Sequence, residues 1–534
     1  MLSKHEQDDT QIAPLYGSRA MVAPIPKWTL AEGEMAPDAA YQIIHDDLTL
    51  NGNPLLNLAS FVTTWMDPQA RDLMMEAMPV NFVDAPEYPQ TAELERRCVS
   101  IIADLFNADA TGETAVGTST VGSSEAVMLA GLALKWNWRT RRAAQGKPAD
   151  KPNIVTGSNV QVVWDKLARY FDIELRCVDM THERTVIGVP EAKALIDENT
   201  IAVVGILGST YTGEFEPIQE LDAMLQALNK ETGWDVPLHV DAASGGFVAP
   251  FAYPDLIWDF RLPTVKSINV SGHKYGLVYP GVGWAIWRSR EELPDDLLFH
   301  DAYLGEDQIT FNLNFSKASN QVVGQYYNFL RLGREGYTRI MQGLLETSAH
   351  IADAAEASGH FNVISAKDAL PLVTVTLKSD EHYTCHDLSD KLRERGWIIP
   401  AYPLPPKADD VSCLRVVVRE GFSRDMADRL MEDVMRAVNA LNARPPAAPT
   451  RVRTRTTTPG ASAALQTTVA PPSGRVATTG FFKGTPTDCA TMVAGLKTPL
   501  AKRVATTIEA VPASQSSTPH TTVVVPSTDA ATRG

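Results

Sequence analysis

The chain has few cysteines, and their arrangement excludes a disulfide framework. Its five cysteines stand apart in the sequence, without CxxC spacing and in an odd number. This pattern predicts neither paired cysteines nor a cysteine-based metal site, and no metal ligands are predicted elsewhere. Scattered free thiols are typical of a reducing compartment, so we expect a cytoplasmic protein.

Long apolar runs and a basic surplus are also missing. No apolar stretch approaches the ~18 residues that span a bilayer, and the first residues do not resemble a signal peptide. The net charge is −16 at pH 7, and the only basic excess lies in residues 445–534. The acidic body argues against nucleic acids and membranes as partners.

Short apolar runs alternate with helical periods between residues 56 and 345. Residues 201–207, 236–240, 267–270 and 283–287 read as strands, and helical spacing follows Pro217. This alternation predicts an α/β domain around a largely parallel sheet. Ligands of such sheets bind beyond the carboxyl ends of the strands.

Three further segments flank this large domain. Residues 1–55 are polar and rich in proline and read as an N-terminal arm. Residues 346–443 contain two strand patterns, at 371–377 and 413–418, and a last helix that Ser423 could cap, so they predict a smaller α+β domain. Residues 444–534 shift to Thr, Ala, Pro, Ser and Val, a low-complexity composition that predicts a disordered tail.

Two motifs at predicted strand ends carry the chemistry. Asp241 is the third residue of the HVDAA motif, and Lys274 is the last residue of the later SGHK motif. A lysine amine can form a Schiff base with the aldehyde of pyridoxal phosphate, and a carboxylate can keep its pyridine nitrogen protonated. A lone lysine at a strand end is usually a solvated charge, but the ordered pair predicts pyridoxal phosphate chemistry.

A third motif suits a phosphate group. Ser123 and Ser124 stand before an apolar helical run, where backbone N–H groups and hydroxyls can hold an anion. The residues alone also fit an ordinary helix cap.

The motifs together resemble the glutamate decarboxylases of the pyridoxal-phosphate-dependent group II decarboxylase family. The resemblance runs from about residue 30 to 443, and its matching segments are 57–61 (NLASF), 87–90 (EYPQ), 116–126 (VGTSTVGSSEA), 208–214 (GSTYTGE), 239–246 (HVDAASGG), 270–276 (VSGHKYG), 314–316 (NFS) and 330–337 (LRLGREGY). It implies the aspartate aminotransferase-like fold of type I transferases, pyridoxal 5'-phosphate as the cofactor and L-glutamate as the substrate. The subunits are expected to form at least a homodimer, with a hexamer as the larger alternative.

The resemblance also implies roles around the cofactor. Lys274 holds the cofactor covalently, Asp241 pairs with its pyridine nitrogen, and Thr210 lies near its phenolic oxygen. Ala243 packs on one ring face and Gln161 on the other. The implied phosphate ligands are Ser123, Ser124, Ser271, His273 and, from a neighbouring subunit, Ser316. His273 is counted with Lys274 and Asp241 as catalytic.

Further positions match those that receive the substrate. Ser60, Phe61, Asn81 and Asp84 match residues at the distal carboxylate, across the dimer interface, and Arg419 matches the arginine that holds the α-carboxylate. Asp84 also fits a turn carboxylate and Gln161 a structural amide. His239 fits a packed strand histidine better than a catalyst.

Other functions stay open at this point. The chain could decarboxylate another amino acid, act as an aminotransferase on the same fold, or bind ligands without activity; the intact Lys274 and Asp241 argue against the last. A calmodulin-binding tail is not predicted, because Pro or Gly interrupts most windows of residues 445–534 and the aromatic pair Phe481-Phe482 stands alone.

Overall fold

The computed structural model describes residues 26–301, 308–379 and 381–443. The predicted tail and most of the first half of the N-terminal arm therefore lie outside the described residues. The described residues belong to one compact unit, and the predicted boundaries near residues 55, 345 and 443 stay predictions. Within the described ranges, no helix is both long and apolar enough to cross a membrane.

The large sheet has seven strands. Its strands are β1 (Val116–Thr120), β2 (Asn153–Gly157), β3 (Glu174–Val178), β4 (Thr200–Ile206), β5 (Leu238–Asp241), β6 (Val265–Val270) and β7 (Gly283–Trp287), in the spatial order β1-β7-β6-β5-β4-β2-β3. The pairs from β3 to β6 are parallel, and β7 runs antiparallel to both of its neighbours. This mixed α/β sheet confirms the predicted fold class.

Helices connect and cover these strands. They are α1 (Pro37–Leu48), α2 (Pro68–Ala77), α3 (Pro89–Leu105), α4 (Ser123–Ala144), α5 (Val162–Tyr170), α6 (Val189–Leu195), α7 (Ile218–Thr232) and α8 (Ala249–Ala252). The strands of the sheet centre are almost wholly buried, as β4 and β5 show. Burial on both faces explains why these strands are continuous apolar runs in the sequence.

A second sheet follows near the end of the described chain. It contains β10 (Phe361–Val363), β11 (Leu372–Leu377), β12 (Ala401–Pro403) and β13 (Ser412–Val417), with helices α10 (Cys385–Arg393) and α11 (Arg424–Asn442); the strand pair β8 (Phe299–Asp301) and β9 (Gln308–Thr310) and helix α9 (Asn320–Ala357) precede it. The antiparallel pairs β10/β11, β11/β13 and β12/β13 form this sheet. The hydroxyl of Ser423 accepts the Met426 N–H at 3.2 Å, so the predicted cap of α11 is present.

Helix α9 crosses the predicted domain boundary at residues 345 and 346. Its backbone departs from helical geometry only at Gly333, whose φ of 55° lies in the left-handed region. The second half of the helix packs against β10 and β11. Helix α9 therefore contacts elements on both sides of the predicted domain boundary.

Candidate functional site

The parallel pairing of β5 and β6 brings the two predicted key residues to one edge of the sheet. Asp241, the last residue of β5, is in register with Asn269 near the end of β6. The chain turns after Val270, and Lys274 follows in this turn. The carboxylate and the amine thus meet at the carboxyl ends of adjacent strands, where open α/β sheets bind their ligands.

Three N–H groups hold the Asp241 carboxylate in place. Oδ2 accepts a hydrogen bond from Trp164 Nε1 at 3.0 Å, and Oδ1 accepts from Asn269 Nδ2 at 2.9 Å and from the Ala243 N–H at 3.2 Å. Asp241 is itself buried. The three donors fix the orientation of the carboxylate, which can pair with a protonated pyridine nitrogen.

His239 lies behind Asp241 and is fully buried. Its Nδ1 is 2.7 Å from Ser267 Oγ, and its Nε2 is 2.8 Å from Asn269 Oδ1. Burial lowers the pKa of His239, and the hydrogen bond with Asn269 partly opposes this shift. The ring is a packed strand histidine, as the sequence favoured.

Lys274 presents a half-buried side chain to the site. Its Nζ donates to Ser244 Oγ at 3.0 Å and lies 5.4 Å from the centre of the Phe61 ring. Burial lowers the pKa of Lys274 to about 8. The negative charge of Asp241 raises this pKa, and the positive charge of Arg415 lowers it further. At pH 7 about a tenth of such amines are neutral, far more than for an exposed lysine. Neutral amines are the nucleophilic form that a carbonyl cofactor needs.

The start of α4 forms a cradle of small groups. Ser123 Oγ lies 2.7 Å from Ser271 Oγ, so the serine motif at the start of α4 meets the SGHK motif. Gly122 precedes the helix with a φ of 156°, and a Cβ on Gly283 would lie 2.5 Å from the carbonyl carbon of Gly122. These glycines let β7 pass close beneath the helix start. Backbone N–H groups at a helix start bind anions, so the cradle fits a phosphate.

His273 borders this cradle. A Cβ on Gly122 would lie 3.0 Å from its Cε1, and its Nδ1 accepts the Val282 N–H at 3.3 Å. Burial, with help from Lys274, lowers the pKa of His273 to about 4. The ring is therefore neutral at pH 7 and carries its hydrogen on Nε2, which makes Nε2 a donor.

Gln161 and Thr210 meet above the same strand ends. The Gln161 amide donates to Thr210 Oγ1, which ties the start of α5 to the loop after β4. Ala243 is half-buried next to Asp241. The structure thus brings together the residues that the resemblance assigns to the cofactor ring.

Two arginines at the end of β13 differ sharply in their surroundings. Arg419, the predicted α-carboxylate ligand, is 1% exposed, and it donates to the carbonyls of Ser60, Pro54 and Asn57 and to Thr64 Oγ1. Four of its five N–H groups are thereby occupied. This geometry corrects the prediction, because Arg419 holds the loop at 54–64 rather than facing the amine.

Arg415 is the arginine that the sequence reasoning missed. It donates to the carbonyls of Thr210 and Ala59 at 2.6 and 2.7 Å, and its guanidinium carbon lies 4.9 Å from the Phe61 ring centre. Its Nε is buried and has no acceptor within the described part of the chain. The charge of Arg415 also acts on the pKa of Lys274, so Arg415 belongs to the site.

The predicted substrate residues form two groups. Ser60 and Phe61 lie in the loop beside Lys274, where Thr63 Oγ1 donates to the Lys274 carbonyl at 2.7 Å. Asn81 instead lies with Ser316, at 3.5 Å between Nδ2 and Oγ. Asp84 is half-buried in a turn, with its N–H on the Asn81 carbonyl at 3.2 Å. The turn fits the alternative given for Asp84, and its predicted role toward substrate stays a prediction.

Comparison with known proteins identifies the family. A conserved-domain profile described as pyridoxal-dependent decarboxylase matches residues 32–378. The chain belongs to the pyridoxal-dependent decarboxylase family, and pyridoxal phosphate is its cofactor. The cradle at Gly122, the amine of Lys274 and the carboxylate of Asp241 fit the phosphate, aldehyde and ring nitrogen of that group.

The most informative relatives carry one activity in their names. The chain is 54% identical to glutamate decarboxylase of Petunia hybrida over 82% of its length and 88% of the relative, and 52% identical to glutamate decarboxylase 2 of Arabidopsis thaliana over 83% and 90%. The solved glutamate decarboxylase of Lactobacillus brevis matches with a TM-score of 0.78 at 43% identity, covering 81% of this chain and 99% of that one. Tryptophan decarboxylase of Catharanthus roseus, at 16% identity and a TM-score of 0.66, shares the fold.

Four residues of the site escaped the sequence reasoning. Trp164 and Asn269 hold Asp241, Ser244 accepts from Lys274, and Arg415 lies beside Lys274. Asn269 and Ser244 stand within a few residues of the two motifs, which is a signal that the sequence offers. Trp164 and Arg415 carry no local signal.

Proposed function

We propose that this chain removes the α-carboxylate of L-glutamate and forms 4-aminobutanoate and carbon dioxide. The observation that carries this proposal is the meeting of Lys274 and Asp241 at adjacent strand ends in a chain about half identical to glutamate decarboxylases. When bound, the cofactor supplies an electron sink for the pair left by the departing carboxylate. Everything else in the reaction depends on how the protein places charges, hydrogen bonds and protons.

The residues around the cofactor have separable tasks. Lys274 supplies the amine that holds the cofactor, and Asp241 keeps a proton on the ring nitrogen. Ser123, Ser271 and the Nε2–H of His273 supply donors for the phosphate. Ser124 stands in the first turn of α4, where its N–H can add to them. Thr210, Gln161 and Ala243 line the space for the ring.

Arg415 is the better candidate for the substrate's α-carboxylate. Its buried Nε–H has no acceptor in the described structure, which is costly unless a ligand supplies one. Planar guanidinium groups bind carboxylates through two parallel hydrogen bonds. A cation next to Lys274 can therefore fix the carboxylate that leaves, while the buried Phe61 ring, whose centre is 5.4 Å from Lys274 Nζ, limits water at that point.

We also propose that two subunits share each site. Ser316 is flanked by exposed apolar residues, with Leu313 at 52% and Phe315 at 46% exposure, and Trp65 and Met78 are each 57% exposed. Exposed apolar clusters of this kind favour a protein interface. A second copy of the chain on this surface would bring Asn81 and Ser316 to its partner's site, where Asn81 can donate to the distal carboxylate and Ser316 to the phosphate.

We propose a cytoplasmic location from the state of the cysteines. The four cysteines of the described residues are free, although Cys385 and Cys413 are both buried in the same region of the fold. Free thiols persist in reducing compartments, which supports a cytoplasmic enzyme.

A substrate panel tests the proposed function. Purified protein saturated with pyridoxal phosphate is supplied with L-glutamate, L-aspartate, L-lysine and aromatic amino acids, and both carbon dioxide and amine products are measured. We expect equal amounts of carbon dioxide and 4-aminobutanoate from L-glutamate, and no keto acid. Lys274→Ala serves as the control. A higher kcat/KM for another amino acid, or formation of a keto acid, would contradict the proposal.

A further inference from the structure

We propose that Lys317 is a positioning residue, whose buried ammonium group fixes the two loops that carry Asn81 and Ser316 for use by the neighbouring subunit. The inference deepens the proposed function, because it rests on the shared site described above. It assigns to Lys317 no contact with substrate or cofactor. Its task is to hold the donors that make those contacts.

The ammonium group of Lys317 is surrounded by acceptors. Nζ donates to the Ser119 carbonyl at 3.1 Å, to Ser119 Oγ at 3.0 Å and to Asn312 Oδ1 at 3.1 Å. Glu95 Oε1 lies 3.4 Å away, and the side chains of Lys317 and Glu95 are only 8% and 18% exposed. An ammonium has three N–H groups, so this cation has more acceptors than it can use at once.

The same residue joins the two loops through its backbone. The Phe82 N–H donates to the Lys317 carbonyl at 3.0 Å, and Asn81 forms a bridge with Ala318. The Lys317 ammonium also lies 4.4 Å from the centre of the Phe82 ring. Asn81 and Ser316 therefore reach their 3.5 Å contact as neighbours of one fixed residue.

The fixed end of this arrangement is the edge of the large sheet. Ser119 lies in β1, and Glu95 in α3 accepts the Ser119 N–H at 2.7 Å. Asn312 also donates to the Ser119 carbonyl at 3.0 Å. Strand β1 leads directly into the cradle at Gly122 and Ser123, so the loops offered to a partner are anchored on the frame of this chain's own cradle.

A buried charge is a costly way to hold a loop. Burying an ammonium group disfavours folding unless its hydrogen bonds are met, and uncharged residues of similar size often stabilise a protein equally well. The ammonium group contributes a defined orientation of the loops, because charge-assisted hydrogen bonds are short and oriented. Direction matters here because small misplacements of binding groups reduce catalysis strongly.

The first experiment compares two substitutions of the same kind. Lys317→Met keeps the length of the side chain and removes the ammonium. Lys266→Met is the matched control, because the Lys266–Glu292 ion pair is 2.9 Å long, is partly buried at 28% and 19% exposure, and lies at the start of β6. We expect the KM for L-glutamate to rise about tenfold or more in Lys317→Met and to stay at the wild-type value in Lys266→Met.

A binding measurement separates this effect from the chemical step. Glutarate has both carboxylates of the substrate's chain length but no amine to react, and calorimetry gives its dissociation constant with the holoenzyme. We expect this constant to rise with the KM, while the absorbance of the cofactor bound to Lys274 stays unchanged. Unchanged values of both constants in a folded Lys317→Met protein would overturn the proposal. If that variant does not fold, Asn312→Ala loosens the same loop without burying an unpaired charge, and the same criteria apply.

Hybrid dimers test whether Lys317 serves the neighbouring subunit. Differently tagged Lys274→Ala and Lys317→Met chains are expressed together, and dimers with one of each are isolated. If the site is shared, the one site with an intact Lys274 receives its loops from the chain with an intact Lys317, so its KM is that of the wild type. The raised KM of Lys317→Met in the hybrid, or an active wild-type monomer, would overturn the proposal. Failure of the proposed function is distinct, since the wild-type protein itself would then form no 4-aminobutanoate.

Discussion

The two arginines of β13 and its continuation allow a direct test of how the site is built. Arg415→Met and Arg419→Met remove the same group four residues apart. Arg419, itself buried, donates to three backbone carbonyls, those of Ser60, Pro54 and Asn57. An acceptor left without a partner costs about 1–3 kcal/mol where water cannot reach it, so Arg419→Met should lose up to about 9 kcal/mol. That is a large share of the roughly 5–15 kcal/mol that stabilises a typical domain.

Arg415→Met should lose less stability and more catalytic activity than Arg419→Met. It releases only two carbonyls, those of Thr210 and Ala59, so its loss of stability should be smaller. In exchange it removes the cation proposed for the α-carboxylate. Charge-assisted hydrogen bonds contribute about 1.5–3 kcal/mol each, so kcat/KM for L-glutamate should fall by about tenfold to more than a hundredfold.

The assay pairs thermal unfolding of each holoenzyme with steady-state kinetics on the folded fraction. Wild-type stability in Arg419→Met would refute the structural role of that residue. Wild-type kcat/KM in Arg415→Met would refute the proposed carboxylate contact. A lower kcat/KM in Arg419→Met, with wild-type kcat/KM in Arg415→Met, would restore Arg419 as the substrate ligand.

Three further predictions concern the cofactor. Lys274→Ala should abolish turnover while pyridoxal phosphate still binds non-covalently, as absorbance after borohydride reduction would report; activity near that of the wild type would remove Lys274 from its role. Asp241→Asn should lower kcat by about a hundredfold or more, because an amide cannot keep the ring nitrogen protonated, and an unchanged rate would contradict this. Since burial lowers the pKa of Lys274 to about 8, cofactor incorporation into the cofactor-free protein should speed up as pH rises and reach half its maximal rate near pH 8; a midpoint near the ordinary lysine value of about 10.4 would contradict the effect of burial.

The sequence predicted the framework of the site because that framework depends on local patterns. Apolar runs placed β4, β5, β6 and β7 within one or two residues of their observed bounds. Asp241 was predicted because it stands at the end of a buried strand within a recognisable motif. Parallel strands end at a common edge of the sheet. A carboxylate after one strand and a lysine after the next are therefore predicted to lie close together, although they are far apart in the sequence.

The choice between the two arginines could not be made in this way. Residues of a strand alternate between its faces, but which face meets the site depends on the partner strands. Arg415 reaches the site because β13 pairs with β11, where it is in register with Thr374. Arg419 lies beyond the strand, and the path of the loop at 54–64 gives it its carbonyls. The first fact joins residues 41 positions apart and the second joins residues more than 350 apart, so the sequence pattern LRVVVR does not distinguish the two arginines.

A chain of hydrogen bonds between buried neutral groups leads from Ser267 through His239 and Asn269 to the Asp241 carboxylate. A carboxylate only accepts, so the Asn269 amide must turn its NH2 group toward Asp241 and its Oδ1 toward His239. His239 must then carry its hydrogen on Nε2, and its Nδ1 accepts from the Ser267 hydroxyl. Because burial lowers the pKa of His239, the ring stays neutral and has the single N–H that this chain of bonds requires. Each group has one orientation left, so the Asp241 carboxylate receives only hydrogen-bond donors from these neighbours.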